Sequence, residues 1–431
     1  MKNLKLLFLY FSFFVLHSSF LIAQNPEWML FNKDNSCMPG NGANIIVADK
    51  KTGEIWAYAG GLIKFDGNTC NTFSFSLPGS VKSIAIDNSG NKWIGTVNGL
   101  VKYDNTNWTV YNTSNSAIAN NDIESVGVDT ITNNIWVASF DSGALKYYLS
   151  KFDGTNWTNY TVHDSIVNIK CITIDKNSNV WIGSDVGSFL NDRGGLFKFD
   201  GSTWTRYFVG NSGLPNNDVY DVAIDKNDTK WIGIVGDYPT KFDGVNWSVY
   251  GVGQGCSMKG VNSIDIEFTD DIWWGSTSSI AKYDGANWTE LTPSNSGLPY
   301  AFVKDITVDK NGNKWVAMQP VGSGYPQYGV IVYKEGGVVL GEKDASASLG
   351  MAIKVYPNPS KREITVEINP KFKILNPKIV IYDIAGKKIK EVSDIKTKEV
   401  KISIDTLTKG IYFVKLYDKE KELGGEKIVV Q

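Results

Sequence analysis

Histidine is the commonest side chain for proton transfer near neutrality, and the 431-residue chain has two. His17 lies in an apolar N-terminal run, so only His163 remains, in the polar stretch Thr161-Val162-His163-Asp164-Ser165. A Ser-His-Asp arrangement needs an imidazole held against both partners. A zinc site draws several His or Cys ligands. A single loop His supplies neither, so no catalytic residue, no metal site and no cofactor is expected. The turns Asp175-Lys176-Asn177-Ser178-Asn179 and Asp309-Lys310-Asn311-Gly312-Asn313 superficially resemble calcium loops. They lack the acidic count and the bidentate Glu of such loops, and their recurrence in one hairpin points to turn chemistry. No pair of carboxylates is marked for glycoside hydrolysis.

Those turns belong to a repeat. An alternating apolar run ends in Asp, a turn follows, then Trp-Ile-Gly, Gly-Leu-x-Lys-Tyr-Asp-Gly and Asn-Trp-Thr-x-Tyr. The first Trp falls at Trp56, Trp93, Trp136, Trp181, Trp231, Trp273 and Trp315, with gaps of 37, 43, 45, 50, 42 and 42 residues. Periods of this length with four strand-like pieces mark propeller blades. The Asn-Trp-Thr triplets match a glycosylation sequon, but the repeat itself dictates them. The second unit reads as strands A (Val81–Asp87), B (Lys92–Gly95), C (Leu100–Asp104) and D (Trp108–Tyr111). From Trp28 to Asp49 is 21 residues, as from Trp108 to Asp129. Trp28–Phe31 therefore reads as a strand D without its own A to C, and the seventh unit lacks a Trp-bearing strand D. The expectation is that Trp28–Phe31 completes blade seven and leaves it no open edge; Val338–Leu340 is the competing last strand.

In such a meander the B–C and D–A loops share one face, around the channel mouth. The A–B and C–D hairpins are short and uniform, whereas the B–C loops vary. Blade three offers Phe140 and Asp141, and blade five Asp237 and Tyr238. An insertion at 184–194 carries Asp185, Phe189, Asp192 and Arg193, and another at 318–328 carries Tyr325, Gln327 and Tyr328. Varied loops on a rigid scaffold are the usual carriers of binding. Aromatic faces beside carboxylates and amides suit sugar rings and protein hot spots. These eleven residues are the candidate ligand contacts.

Cys37 lies nine residues after Trp28, and Cys256 nine after Trp247. They occupy equivalent loops on blades that are not neighbours, and a disulfide needs Cα atoms within about 7 Å. Cys70 stands where other repeats have the strand-D Trp, and Cys171 lies on a strand A. Cys70 and Cys171 read as buried free thiols; the one bridge considered is Cys37–Cys256 over the channel mouth.

Lys2 and Lys5 precede an apolar run, Leu6 to Leu16, and Leu21-Ile22-Ala23 ends on a small residue. Residues 1–23 read as a signal peptide. No later segment approaches about 18 consecutive apolar residues, so no transmembrane segment is expected. The formal net charge of −2 gives no basic footprint for nucleic acid. Residues 24–340 form the propeller, and the small, polar stretch 341–350 reads as a linker. In 351–431 Trp disappears, Lys becomes dense and about seven short alternating strands suggest a small β-sandwich.

Two resemblances follow from these motifs. Asn211-Ser212-Gly213-Leu214-Pro215-Asn216-Asn217-Asp218-Val219, Ala223-Ile224-Asp225 and Trp231-Ile232-Gly233 make the repeat similar to the two-component-regulator propeller repeat of bacterial periplasmic sensors. No kinase or DNA-binding region follows, so sensor signalling is not implied. The tail carries Val355-Tyr356-Pro357-Asn358-Pro359, Ile381-Tyr382-Asp383-Ile384-Ala385-Gly386-Lys387, Gly410-Ile411-Tyr412-Phe413-Val414 and Lys427-Ile428-Val429-Val430. It resembles the type A sorting domain of Bacteroidetes type IX secretion substrates. That resemblance implies sorting residues Pro357, Asn358, Pro359, Asp383, Gly386, Gly410, Tyr412 and Lys427, the type IX machinery as a partner, and an extracellular or outer-membrane surface location. The whole reads as an all-β protein: a seven-bladed β-propeller followed by an Ig-like β-sandwich tail. It is expected to be a monomeric, non-catalytic binding module for a glycan or surface protein, the alternative being a polysaccharide- or glycoside-cleaving enzyme with acidic and aromatic residues at the channel mouth.

Overall fold

The computed structural model describes residues 27–66, 69–187, 193–277, 279–299, 302–319, 329–335, 338, 353–368, 376–383, 387–393, 395, 397–419 and 421–430. Signal peptide, linker, Phe189, Asp192, Tyr325, Gln327, Tyr328 and Gly386 lie outside them.

Seven four-stranded antiparallel sheets follow one another from residue 28 to 333. Blade one runs Ile45–Ala48, Ile55–Tyr58, Leu62–Phe65, Cys70–Thr72, and blades two to six repeat that order. Blade seven takes Phe302–Val308, Lys314–Gln319 and Gly329–Tyr333 from the C-terminal end and Trp28–Phe31 from the N-terminal end. Trp28 lies opposite Tyr333 and Phe31 opposite Val330. Val338 is buried against blades seven and one. Each innermost strand touches the next, and that of blade seven touches that of blade one, which closes the ring.

The repeat motif explains this packing. Strand B is the central layer and is buried along its length in blades two, four, five and six. In blades two and four to seven its Trp donates the indole N–H to the Asp or Glu six residues earlier, as Trp93 to Asp87 (2.9 Å), Trp181 to Asp175 (2.9 Å) and Trp315 to Asp309 (2.8 Å). The Gly of Trp-Ile-Gly makes room for the next blade. A Cβ on Gly95 would lie 2.7 Å from Ile123, and on Gly233 2.7 Å from Val261.

Strand A carries a register shift in blades two to seven, just before Ser83, Ser125, Cys171, Asp221, Ser263 and Asp305. The polar residue at this bulge reaches the next blade. Ser83 Oγ accepts from Val126 N (3.1 Å), Asp221 from Ile264 N (2.7 Å), and Asp305 from Ile46 N (2.9 Å) across the ring closure. A bulge re-aims its side chain, and here the re-aimed groups stitch the inner wall of the channel.

The expected free thiol at Cys171 is observed, but the expectations of a free Cys70 and of a Cys37–Cys256 bridge are overturned. Cys37 is bonded to Cys70, with Cα atoms 5.4 Å apart, while Cys171 and Cys256 are free. The reason lies in the outer junctions. The residue nine after the strand-D Trp faces the first residue of the next strand D, not its counterpart on a distant blade. Gly213 abuts Trp247, and Gly297 abuts Trp28; an added Cβ would come within 2.3 and 2.6 Å of them. Cys37 holds that position after Trp28, and Cys70 replaces the Trp it would face. The disulfide therefore takes the place of a glycine-on-indole contact where blade seven meets blade one.

The tail is a separate β-sandwich of two sheets. One joins Ile353–Tyr356, Glu363–Ile368 and Glu399–Ser403; the other joins Pro377–Asp383, Lys388–Val392, Gly410–Asp418 and Lys421–Val430. Both contribute to one core, including Val355, Ile364, Ile381, Val414 and Ile428.

Candidate functional site

The channel mouth is built from the residue preceding each inner-strand bulge: Lys82, Glu124, Lys170, Tyr220, Asn262 and Lys304 on blades two to seven. Asn44 precedes the inner strand of blade one, and its Oδ1 accepts from Gln319 Nε2 of blade seven at 2.9 Å. The apolar residue just before each (Val81, Ile123, Ile169, Val219, Val261 and Val303) is buried in the blade, whereas the rim residue differs in type from blade to blade.

A continuous polar strip crosses this rim from blade two to blade five. Lys82 Nζ bonds Asp122 (2.6 Å) and Glu124 (2.7 Å). Burial works against its charge, but the two carboxylates hold its pKa above the usual lysine range. The buried Tyr147 follows; burial first, then the charges of Glu124, Asp185 and Asp122, keep its phenol protonated. Asp185, itself buried, pairs with Lys170 at 3.1 Å, and Lys170 Nζ stands 4.8 Å over the Tyr220 ring. Salt bridges, a phenol and an aromatic face thus follow one another along one edge.

Deeper in the channel, burial pushes the Asp221 carboxyl up to about 7, with backbone bonds opposing it and Asp305 and Asp265 adding to it. Burial likewise pushes Asp305 up to about 6. Both are held by backbone N–H groups, since Val222 N and Ile306 N also bond them.

The predicted loop residues separate into groups. Asp185 belongs to the strip. Phe140 packs on Tyr147, with ring centroids 4.7 Å apart, and so lies beside it. Asp141 caps its own turn through Gly143 N (2.9 Å) and Ala144 N (3.0 Å). Arg193 is exposed. Asp237 caps Tyr238 N, and the Tyr238 ring carries Lys259 Nζ 4.5 Å above it, forming a second aromatic spot between blades five and six. Loop reading missed Lys82, Asp122, Glu124, Tyr147, Lys170 and Tyr220. For Lys82, Glu124, Lys170 and Tyr220 the signal is present in the repeat, one variable residue just before the polar position of strand A; Asp122 and Tyr147, the latter on a strand C, carry no such signal.

His163 Nδ1 accepts from Ser165 N at 3.1 Å, and burial, then Arg206, lower its pKa. It is thus a neutral turn residue. Among the described residues no three His, Cys, Asp or Glu side chains come together as a metal site, and no helix is long and apolar enough to cross a membrane.

In the tail, Tyr356-Pro357 and Asn358-Pro359 are both cis, and Asn358 Oδ1 accepts from Val429 N at 2.9 Å, tying the first motif to the last strand. Asp383 caps the turn at Lys387 N (2.9 Å). Gly410 opens its strand, and Tyr412 OH reaches Thr408 O at 2.9 Å. Lys427 pairs with Phe413 in backbone register. Residues 354–431 match the family described as the secretion system C-terminal sorting domain. The tail is a type IX sorting domain. It accounts for a location outside the cell or at its surface, and the match covers the tail alone.

Among solved structures, the chain is similar to PorZ, a bacterial surface component of the type IX secretion system of Porphyromonas gingivalis. The likeness has 15% identity and a TM-score of 0.53, covering 91% of this chain and 60% of that one. The chain thus spans less than two thirds of PorZ. It is also similar to virginiamycin B lyase from Staphylococcus aureus, at 12% identity and TM-score 0.55, over 72% of this chain and 99% of the lyase. A third match is the extracellular domain of a B. thetaiotaomicron protein described as a hybrid two-component system, at 14% identity over 93% and 82% of the two chains. Its TM-score of 0.29 carries no argument. At such identities the likeness is one of fold. No curated protein matches the chain.

Proposed function

We propose that the propeller, residues 24–340, is a non-catalytic binding module displayed outside the cell, released from its signal peptide (1–23) and joined through the linker 341–350 to its sorting domain (351–431). The ligand is a glycan or a surface protein. One observation carries this reading: the polar strip from Lys82 through Asp122, Glu124, Tyr147, Asp185 and Lys170 to Tyr220, on a closed propeller scaffold. Alternating donors, acceptors and an aromatic face match a sugar ring's hydroxyl edge and apolar face. They also match a protein hot spot. Phe140 lies beside the strip, and Phe189, Asp192, Arg193, Tyr238, Tyr325, Gln327 and Tyr328 remain further candidate contacts on the sequence alone.

Polysaccharide cleavage is the second reading, favoured by the raised carboxyls of Asp221 and Asp305. Against it, the lyase of similar fold is described as catalytically inactive when a histidine is changed to alanine, whereas His163 here serves its own turn. The test is a glycan and surface-protein binding screen of the full chain, beside an assay for unsaturated or reducing products. Saturable binding without products supports the module; product formation supports the enzyme.

A further inference from the structure

Outer strands of neighbouring blades meet through rings. Tyr111, Tyr207 and Tyr250 each stand three residues after a strand-D Trp. Their ring centroids lie 5.8, 5.7 and 5.6 Å from the indole of the next outer strand, Trp157, Trp247 and Trp288. Between blades three and four that contact is missing. Tyr160 packs on Phe199 (5.1 Å) and Trp136 (5.3 Å), and Trp204 stacks on Phe199 (4.7 Å), but no ring contact joins Tyr160 to Trp204. The connecting loop explains the gap. Tyr111 stands twelve positions before Ile123, the buried residue that opens the next inner strand, and Tyr207 twelve before Val219, whereas Tyr160 stands only nine before Ile169. The shorter loop supplies nothing like Gly213 against Trp247, and the Trp204 N–H donates instead to Thr161 O at 2.9 Å. A short loop alone does not open a gap. Phe73 is only eight positions before Val81, yet there Phe75 stacks on Trp108 at 4.5 Å.

A groove of about 490 Å³ occupies the gap, lined by Tyr160, Thr161, His163 and Asp164 from blade three and by Ser202 and Trp204 from blade four. Its polar groups are held in place yet open to an incoming molecule. His163 Nδ1 accepts from Ser165 N at 3.1 Å, so the neutral imidazole must carry its proton on Nε2. Burial first, then the Arg206 charge, favour that neutral form, with Asp164 opposing them. Among the described residues nothing accepts the Nε2 proton and nothing donates to the exposed Asp164 carboxylate.

These groups select a ligand class by charge. An anion would meet the Asp164 carboxylate. A cation would meet the His163 N–H, with the Arg206 charge behind it. A neutral polyhydroxylated ring uses both, because its hydroxyls donate as well as accept and its apolar faces suit aromatic walls. We propose that this groove is a binding site for a neutral pyranose unit of a glycan, on the outer wall of the propeller and separate from the channel mouth. The sugar lies between Tyr160 and Trp204. Asp164 accepts a hydroxyl proton, and His163 Nε2–H donates to a neighbouring hydroxyl oxygen. The site shares no residue with the polar strip of the rim, so either can fail alone.

The test is an NMR titration of the isotope-labelled chain, residues 24–431, with glucose, galactose, mannose and N-acetylglucosamine. His163 is the sole histidine of that chain, so its imidazole resonances are read without ambiguity. They should shift saturably, together with the Trp204 indole, for at least one sugar, while the Trp93 and Trp315 indoles, bonded to Asp87 and Asp309, stay in place. Asp164→Ala, at an exposed loop position, should weaken the titration at least tenfold. Exchange of residues 161–168 for the longer connection 112–122 should abolish it; if that exchange does not fold, Asp164→Ala decides. Tyr220→Ala, at the channel mouth, should leave it unchanged. A His163 signal unmoved by all four sugars, shifts that persist in Asp164→Ala, or their loss in Tyr220→Ala would each overturn the proposal.

Discussion

Two kinds of outer junction hold the propeller together. Where blade four meets blade five, and blade six meets blade seven, a glycine lies against the indole of the next outer strand, as Gly213 on Trp247 and Gly297 on Trp28. Where blade seven meets blade one, the same two positions are Cys37 and Cys70, and the contact is a covalent bond. Residues 32–44 run directly from Trp28–Phe31 to blade one, so the disulfide joins two points of one continuous stretch. The joint between the chain's beginning and the far end of the ring lies inside blade seven, where Trp28–Phe31 pairs with Gly329–Tyr333. The covalent bond anchors the segment that carries this closing strand to blade one, and it fits a protein that folds in an oxidising compartment.

The largest effect should come from breaking that difference. Cys37→Ser with Cys70→Ser is expected to lower stability by about 2–4 kcal/mol, measured by guanidinium unfolding with and without reductant. Equal stability of the variant and the oxidised parent would mean that the bridge adds nothing to closure. Overpacking the glycine junctions comes next. Gly297→Ala and Gly213→Ala each force a Cβ against an indole, at a cost of about 1–3 kcal/mol. Gly297→Ala should be the worse of the two, because it displaces Trp28 of the closing strand, and thermal unfolding of the pair reads the difference.

The inner wall offers a smaller contrast. Asp305 caps Ile46 across the closing junction, and Asp221 caps Ile264 across an internal one. Burial lifts both carboxyls above the ordinary aspartate value of 3.8, to about 6 and about 7. The folded state therefore holds these protons more tightly than the unfolded chain. Their contribution to stability is fully present below the unfolded value and is lost as pH rises through 6 and 7. Asp221→Ser and Asp305→Ser install the residue already used at Ser83 and Ser263, and should flatten the stability profile between acid and pH 8. A profile unchanged from the parent would contradict the assignment. The smallest effect is expected from Trp181→Phe, which removes the bond to Asp175, compared with Trp136→Phe, whose N–H has no partner. Beyond the shared packing change, the first should cost about 0.5–1.5 kcal/mol more by denaturant unfolding, since Asp175 keeps its bonds from Asn179.

Most of the architecture was legible because a repeat states its physics seven times. Asp, Trp and Gly recur where a hairpin, an indole bond and a close blade approach require them. The cysteine reading fails because it compares Cys37 only with Cys256, its equivalent on a distant blade, and sets Cys70 aside as a buried thiol, whereas the position of Cys37 faces the neighbouring strand D. Cys70 in the place of a Trp was the visible clue. The rim was missed for a related reason. Lys82, Glu124, Lys170 and Tyr220 lie one residue before a bulge, and the bulge is a feature of strand pairing that alternation alone does not reveal. Loop variability did lead to Asp185 and Phe140, which lie on or beside the strip.

The most direct measurement is binding of the full chain to an array of glycans and candidate surface proteins, repeated with Lys170→Ala and Tyr220→Ala and with Val245→Ser, an exposed residue of a blade-five hairpin, as control. Saturable binding that falls at least tenfold in the two rim variants and persists in the control is the predicted result. Binding that is indifferent to both rim variants, or a folded chain that binds nothing on either array, would contradict the account.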